Sequence, residues 1–213
     1  MAAVVFSVAS SAVHAGFIYD AQNTGRAVQA WVAGNSVDLD STTNLGPWYG
    51  SAFYSDAASA VIANQGSDFG ATQMTFAGGA QTSSSIAVDL HGLSIASTRF
   101  TVSSNGSLQW IVTTNSVANG FENMSSMSIT LFDLTSGQFL FARTGNSTGN
   151  GAIQVFATHN YELIIRADGE SGSAGSTAAT YNAGLEFVAV PAPGAFALFA
   201  LAGFSARTRR RSA

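Results

Sequence analysis

Short stretches in which apolar and polar residues alternate recur along this chain, and they constrain its fold more than any other feature. A period of two places successive side chains on opposite faces of a β-strand. The pattern is present at 26–32, 72–76, 85–90, 98–102, 108–113, 127–134, 153–157, 161–167 and 179–190. A helical period is suggested only over 56–64. Many short strands with no helices between them predict an all-β chain, an antiparallel β-sandwich or jelly-roll-like domain.

Three places in the sequence predict that consecutive strands pair as hairpins. Asn105-Gly106 separates two alternating stretches, and both residue types tolerate the positive φ of a type I′ turn. Gly137 ends a turn between 127–134 and 138–142. The segment 161–187 reads as a long closing hairpin. The residues expected on the inner faces of the sandwich are Met127, Ile129, Leu131, Leu140, Val155, Leu163 and Ile165.

The charge distribution excludes one class of partner. The chain has twelve acidic residues, all within 16–189, where only four of its eight arginines lie, and it has no lysine. A body with this acidic excess does not bind nucleic acid, because binding requires cationic side chains that neutralise phosphates. Cysteine is also absent, which excludes thiol catalysis, cysteine-bound metals and disulfides.

Residues 190–213 have the composition of a sorting segment rather than of a core element. Pro191 and Pro193 precede Gly194, the run 195–206 has no charge, and arginines follow. This apolar run is shorter than the roughly 20 residues that a membrane-spanning helix needs, and it lacks the polar face of a core helix. The arginines predict a cytoplasmic C-terminus. The residues expected to set membrane contact and topology are Phe196, Leu198, Phe199, Leu201, Arg207, Arg209, Arg210 and Arg211.

The order of a Pro-x-Pro motif, a short hydrophobic segment and an arginine-rich end resembles the PEP-CTERM sorting signal of exported bacterial proteins. The variant here reads Val-Pro-x-Pro-Gly, and Ala192 stands where the family usually has glutamate. The resemblance covers only 190–211. It implies a short C-terminal hydrophobic helix, recognition by an exosortase-like membrane protease, and processing near Pro191, Pro193 and Gly194. Members of that family are tied to the cell surface and its exopolysaccharide.

The N-terminus has the features of an export signal. Residues 2–13 are apolar with many small side chains, and Val13-His14-Ala15 has the small-x-small form that signal peptidase accepts. Cleavage after Ala15 leaves Gly16 as the new N-terminus. We therefore predict a signal peptide over 1–15, with the Sec machinery and signal peptidase as partners. The alternative for this segment is a buried first strand.

The sequence contains no strong catalytic motif. His91 and His159 lie in separate predicted turns, and the chain has no metalloprotease motif or P-loop. A glycosidase needs two carboxylates that face each other across a cleft. The acidic candidates are spread along the chain at Asp89, Glu122, Asp133, Glu162 and Glu186. We predict no catalytic residues, and a hydrolase stays an alternative that requires convergence in one pocket.

Two short acidic clusters are the metal candidates. Asp38 and Asp40 form one, and Asp168 and Glu170 form the other, both in predicted loops. Carboxylates and loop carbonyls suit calcium, although neither cluster has the spacing of an EF-hand. The sequence indicates no cofactor, with structural calcium at one of these clusters as the alternative.

Aromatic residues are concentrated after Gly46-Pro47. Trp48, Tyr49 and Tyr54 lie between two predicted strands, so we interpret the segment as an aromatic loop. Such side chains bind polysaccharide when they are exposed, because sugar faces stack on aromatic rings. The competing interpretation is that the loop folds its aromatic residues onto the sandwich.

Together these patterns predict three regions: a signal peptide (1–15), a β-sandwich domain (16–189) and a sorting tail (190–213). The predicted function is that of an exported cell-surface or matrix protein, associated with exopolysaccharide, that acts by adhesion or structure and not as an enzyme. The alternatives are a carbohydrate-binding module and a secreted hydrolase. For localisation, the alternative is a protein anchored in the membrane by an uncleaved tail.

Overall fold

The computed structural model of this protein describes residues 15–190. Twelve β-strands and no helix form within that range. Within residues 15–190, no helix is long and apolar enough to cross a membrane. The predicted sorting tail beyond Val190, its hydrophobic helix and all of the predicted signal peptide except Ala15 lie outside the described residues.

The strands form two six-stranded antiparallel sheets. Those of the first sheet are β1 (Phe17–Val32), β2 (Asn35–Thr42), β6 (Leu90–Val102), β8 (Asn123–Asp133), β9 (Gln138–Thr144) and β11 (Tyr161–Ser171). Those of the second are β3 (Trp48–Ser55), β4 (Ser59–Phe69), β5 (Gln73–Ser84), β7 (Gly106–Asn119), β10 (Ser147–Val155) and β12 (Gly175–Ala189). Their spatial orders are β2-β1-β6-β11-β8-β9 and β10-β7-β12-β5-β4-β3. The two sheets pack face to face, so the all-β prediction of a sandwich is confirmed.

The core lies between the inner faces of the two sheets, and the predicted inner-face residues are found there with one exception. Leu140 is only half-buried, and its neighbour Phe141 takes the core position, with 7% of its surface exposed. The cause is a bulge, because Leu131 pairs with Phe141 whereas Phe132 pairs with Phe139. Skipping one residue on β9 shifts the alternation of faces by one position.

The predicted hairpin at Asn105-Gly106 is wrong. β6 and β7 flank this turn but belong to different sheets, so the chain crosses the sandwich here. β6 already pairs with β1 on one edge and β11 on the other, which leaves β7 no edge to join. Gly106 serves close packing: a Cβ there would lie 2.5 Å from Cε2 of Phe187 and 2.6 Å from the carbonyl oxygen of Val188.

The predicted closing hairpin over 161–187 is wrong for the same reason. β11 lies between β6 and β8, so both of its edges are occupied and β12 pairs instead with β5 and β7 in the second sheet. The hairpin through Gly137 is confirmed, since β8 pairs with β9 and Gly137 has a φ of 70°.

Two assignments of local structure also differ. The weak helical period over 56–64 corresponds to a turn followed by β4, and Asp56 Oδ1 accepts hydrogen bonds from the amides of Ala58 and Ser59 at 2.8 and 2.7 Å. The stretch 85–90, predicted as a strand, connects β5 to β6 and joins the sheet only at Leu90. Alternation alone does not distinguish a strand from an extended connection.

One charged side chain, Arg26, is buried inside the sandwich at 2% exposure. Its guanidinium donates to Ser67 Oγ at 3.0 Å and to the carbonyl oxygens of Asn44 and Gly46. The group also lies 4.8 Å from the ring centroid of Phe69. Arg26 thereby fastens the segment between β2 and β3 to the core.

Both ends of the described chain lie at the same end of the sandwich. The amide of Gly16 donates to Ser103 Oγ at 2.8 Å, and the amide of Val190 donates to the carbonyl oxygen of Asn105 at 3.2 Å. We call this end, with Gly16, the turn 103–105 and Val190, the tail end. The opposite end, with the turns 33–34, 120–122 and 172–174, is the distal end. The two ends are roughly 40 Å apart along β6, at about 3.3 Å per residue.

Candidate functional site

The most concentrated group of functional side chains lies on the outer face of the first sheet, near the distal end. Asp168 and Glu170 are two residues apart on β11, so they point to the same face. The register of β6 against β11 puts His91 directly opposite Glu170. We call His91, Asp168 and Glu170 the distal cluster.

The polar atoms of the distal cluster converge. Nε2 of His91 lies 3.2 Å from Oδ1 of Asp168 and 3.8 Å from Oε1 of Glu170. These three atoms all lie within 4.8 Å of one another. The cluster therefore brings one imidazole nitrogen and two carboxylate oxygens to one point, and these are ligand types for a divalent metal.

Asp168 is the most enclosed member of the cluster. Arg166 binds its carboxylate with two hydrogen bonds, from Nε to Oδ2 at 2.6 Å and from Nη2 to Oδ1 at 2.8 Å. Burial alone raises the pKa of Asp168, but the hydrogen bonds and charges of His91 and Arg166 outweigh it and lower the pKa to about 2. The carboxylate is therefore ionised at neutral pH.

An aromatic ring orients His91. Trp31 on β1 is paired with His91 in the sheet, and the two rings stack with centroids 4.4 Å apart and planes 11° apart. This contact favours an imidazole plane that keeps Nε2 directed at the carboxylates.

The distal cluster borders a pocket of about 560 Å³. Asp89 and Glu122 line it together with His91 and Glu170, so it is rich in carboxylates and attracts cations. The structure thus brings together His91 and two of the acidic residues that a hydrolase would use. Glu162 and Glu186 lie elsewhere, with Glu162 bound to Nε of Arg99 at 2.8 Å. The prediction that the protein is not an enzyme stays a prediction.

The second histidine forms a simpler pair at the other end of β11. Nδ1 of His159 lies 2.6 Å from Oδ2 of Asp133, whose Oδ1 accepts the amides of Thr135 and Ser136. In the described part of the chain, no third histidine or acid joins the pair within metal-ligand distance. The pair connects the turn after β8 to the segment before β11.

The two predicted calcium clusters differ in their surroundings, and both lie on strands rather than in loops. Asp38 on β2 accepts the amides of Leu39 and Phe53 at 2.9 and 2.8 Å. Within residues 15–190, Asp38 and Asp40 are not joined by a third histidine or acid. The pair Asp168 and Glu170 is joined by His91. The calcium alternative stays a prediction.

The predicted aromatic loop is a strand, β3, whose alternation separates its aromatic residues. Tyr49 is 73% exposed and Phe53 is 56% exposed, and both lie on the outer face of the second sheet. Trp48 and Tyr54 point inward and pack on the smaller of two core clusters. Of the three predicted ligand-binding residues, only Tyr49 is strongly exposed, and the binding role stays a prediction.

The processing residues fall mostly outside the described range. Ala15 is described and packs against the core. Pro191, Pro193, Gly194 and the membrane and topology residues after them are not described, so their roles remain as predicted from the sequence.

Comparisons with known proteins gave no relative: no protein-family model, curated protein or solved structure matches this chain.

The sequence did not indicate that His91 belongs with Asp168 and Glu170. Arg166, Asp168 and Glu170 alternate with apolar or small residues, and this spacing could have shown that they share one strand face. The sequence does not show which strand pairs with β11, because His91 on that partner strand is more than seventy residues away from Asp168 and Glu170. Trp31 is still farther along the chain from Asp168 and Glu170, and its contact with His91 follows only from the pairing of β1 with β6.

Proposed function

We propose that this protein is exported and displayed at the cell surface or in the extracellular matrix, where it acts by adhesion or structure. Its N-terminal segment carries the pattern of a signal peptide, and residues 190–211 resemble a PEP-CTERM sorting signal. In this proposal, signal peptidase and the Sec machinery process the front of the chain. An exosortase-like membrane protease acts on the tail, and the tail contacts the membrane at least transiently.

The observation that carries the proposal is the position of the two ends of the described range 15–190. Gly16 and Val190 are both held by the turn 103–105, at the tail end of the sandwich. Gly16 directly follows the predicted signal-peptidase site, and Val190 directly precedes Pro191. Both predicted processing sites are therefore next to one end of a compact domain, which supports the proposal because neither cut would remove a strand of the fold.

A tether at the tail end would direct the distal end away from the membrane. The distal end carries the pocket with Asp89 and Glu122, and Phe121 in its turn 120–122 is 83% exposed. We therefore assign the distal end as the surface presented to partners.

Single cysteine labels test this orientation, because the chain has no native cysteine. Phe121→Cys places a thiol at the distal end, and Ile18→Cys, at a residue 56% exposed, places one next to the tail end. On intact cells, a membrane-impermeant maleimide should label Phe121→Cys several-fold faster than Ile18→Cys. In the purified proteins the two rates should be similar. Equal rates on intact cells, or no labelling of either variant, would contradict surface display from the tail end.

Removing the tail tests the sorting part of the proposal. A variant that lacks 190–213 keeps every described strand, so it should fold and be exported but be released into the medium. The full chain should remain in the cell envelope or the matrix. An unchanged distribution between cells, envelope and medium would show that the tail does not sort the protein.

Binding of a neutral polysaccharide is the second candidate function, and the outer face of the second sheet favours it. Tyr49 lies opposite Gly66 and Phe53 lies opposite Ile62, so the rings rise from a surface of small and apolar residues. Asn64 lies between these pairs and offers amide groups for hydroxyls. Strands β3 to β5 contain one charged residue, Asp68, which fits an uncharged ligand.

A further inference from the structure

We infer that the distal cluster binds a transition-metal dication of the zinc type. His91 supplies Nε2, Asp168 supplies Oδ1 and Glu170 supplies Oε1, and these atoms lie within 4.8 Å of one another. Histidine nitrogen and carboxylate oxygen are both zinc ligands, and a site with three protein ligands leaves a fourth position for water or another ligand. This inference does not depend on export or on the sorting tail.

Two of the three separations, those from Nε2 of His91, are close to those of a tetrahedral zinc site. Zinc bonds to nitrogen and oxygen of about 2.0–2.1 Å place neighbouring ligands about 3.3 Å apart in a tetrahedron. The two separations from Nε2 of His91 are 3.2 Å to Asp168 and 3.8 Å to Glu170. Glu170 has a side chain that is 46% exposed, so it can approach the ion by a change of rotamer without disturbing the core.

The neighbours of the cluster act as supports for these ligands. Arg166 occupies one lone pair on each oxygen of Asp168, and Oδ1 keeps a second lone pair for the metal. Ser126 Oγ also donates to Oδ2 at 3.4 Å. The stacked Trp31 restrains the imidazole. Residues of this kind orient metal ligands, and their loss typically lowers metal affinity.

The charge and composition of the site favour zinc over calcium. Asp168 and Glu170 carry two negative charges and Arg166 carries one positive charge, so the site has a net negative charge when His91 is neutral. Calcium prefers six to eight oxygen ligands, whereas an imidazole nitrogen is a preferred ligand of zinc and related ions. Glu122 and Asp89 line the adjoining pocket and add to the attraction for a dication.

Titration of the purified protein with Zn²⁺, followed by calorimetry, tests the inference. We expect one saturable site per chain and a rise in the melting temperature when Zn²⁺ is added. Glu170→Gln and His91→Gln should each weaken Zn²⁺ binding at least tenfold. The matched control is His159→Gln, which removes the histidine of a pair that has only one carboxylate and should leave Zn²⁺ affinity unchanged. Co²⁺ should give the visible absorption of a four-coordinate site in the wild type. Neither Glu170→Gln nor His91→Gln should show this absorption.

Two results would overturn the inference. One is the absence of saturable Zn²⁺ binding, which would make the cluster an ion-pair network without a metal. The other is a Zn²⁺ site whose affinity is unaffected by Glu170→Gln and His91→Gln. Binding of Ca²⁺ but not of Zn²⁺ is a case of the first result. The far-ultraviolet circular dichroism of each variant without metal shows whether it is folded. Glu170→Gln is the variant less expected to disturb folding, because the Glu170 side chain is half-exposed.

Discussion

Nδ1 of His159 lies 2.6 Å from Oδ2 of Asp133, and this pair fastens two loops at one end of the first sheet. Burial alone raises the pKa of Asp133, but the hydrogen bonds from His159 and from the Thr135 and Ser136 amides outweigh it and lower the pKa. A lowered pKa means that the ionised carboxylate stabilises the folded state. Its contribution is present above the unfolded value of about 3.9 and is lost as the pH falls through the folded value.

Asp133→Asn should therefore destabilise the protein at pH 7 by about 2 kcal/mol, because charged hydrogen bonds to a buried group are lost. The difference from the wild type should shrink below about pH 4, where Asp133 becomes protonated in the unfolded chain, and should vanish once the pH falls below the lowered pKa of the folded state. Chemical denaturation at several pH values measures both effects. A difference in stability that stays constant from pH 7 to pH 3 would contradict this account.

The close approach of Gly106 to β12 predicts a second effect. Gly106→Ala places a Cβ 2.6 Å from the backbone oxygen of Val188, which cannot move without disturbing the sheet. We expect a loss of about 2–3 kcal/mol in the free energy of unfolding. Gly25→Ala is the control, because a Cβ there meets nothing within 4 Å. Equal stabilities of the two variants would show that Gly106 is not held by packing.

The buried Arg26 predicts a difference between arginine and lysine. Arg26→Lys removes the forked donors that reach Ser67 and the carbonyls of Asn44 and Gly46, and an ammonium cannot replace their geometry. The expected loss in unfolding free energy is about 2 kcal/mol. Arg99→Lys is the matched control, since this side chain is 42% exposed in its pair with Glu162 and should change stability by less than about 0.5 kcal/mol. Denaturant titration that finds equal losses would contradict a structural role for Arg26.

The polysaccharide candidate predicts a loss of binding that is confined to one face. Tyr49→Ala and Phe53→Ala should each weaken retention in gels that contain a neutral polysaccharide by roughly fivefold, because each removes about 1 kcal/mol of stacking. Phe139→Ala is the control: Phe139 is 70% exposed on β9 of the other sheet. Retention that is absent in the wild type, or equally reduced by Phe139→Ala, would exclude a specific glycan site on the second sheet.

Turn and alternation signals in the sequence predict a strand pairing correctly where both strands and the turn belong to one continuous segment that forms a hairpin. The hairpin between β8 and β9 was predicted because Gly137 and the alternation on both sides belong to one continuous segment. Asn105-Gly106 carries a hairpin signal of the same kind, yet β6 and β7 separate into different sheets. What decides the outcome is that β1 and β11 already occupy both edges of β6, and no residue near the turn reports this.

The same limit applies to the candidate site. Asp168 and Glu170 were recognised as a metal candidate from their spacing alone. His91, the residue that changes the expected ion from calcium to zinc, reaches them only through the pairing of β6 with β11. The sequence groups Trp48, Tyr49 and Tyr54 in one aromatic loop and leaves open whether they are exposed. The alternation of β3 exposes Tyr49 and directs Trp48 and Tyr54 inward.

The intact mass of the protein purified from the envelope and the medium of the cells that produce it tests the central claim most directly. The account predicts a chain that begins at Gly16 and ends between Pro191 and Gly194, the two predicted processing sites, and that keeps all twelve described strands. A mass that includes residues 1–15 would contradict cleavage of an export signal. A mass that extends to Ala213 would mean that the tail is an uncleaved anchor, and sorting by an exosortase-like protease would be wrong.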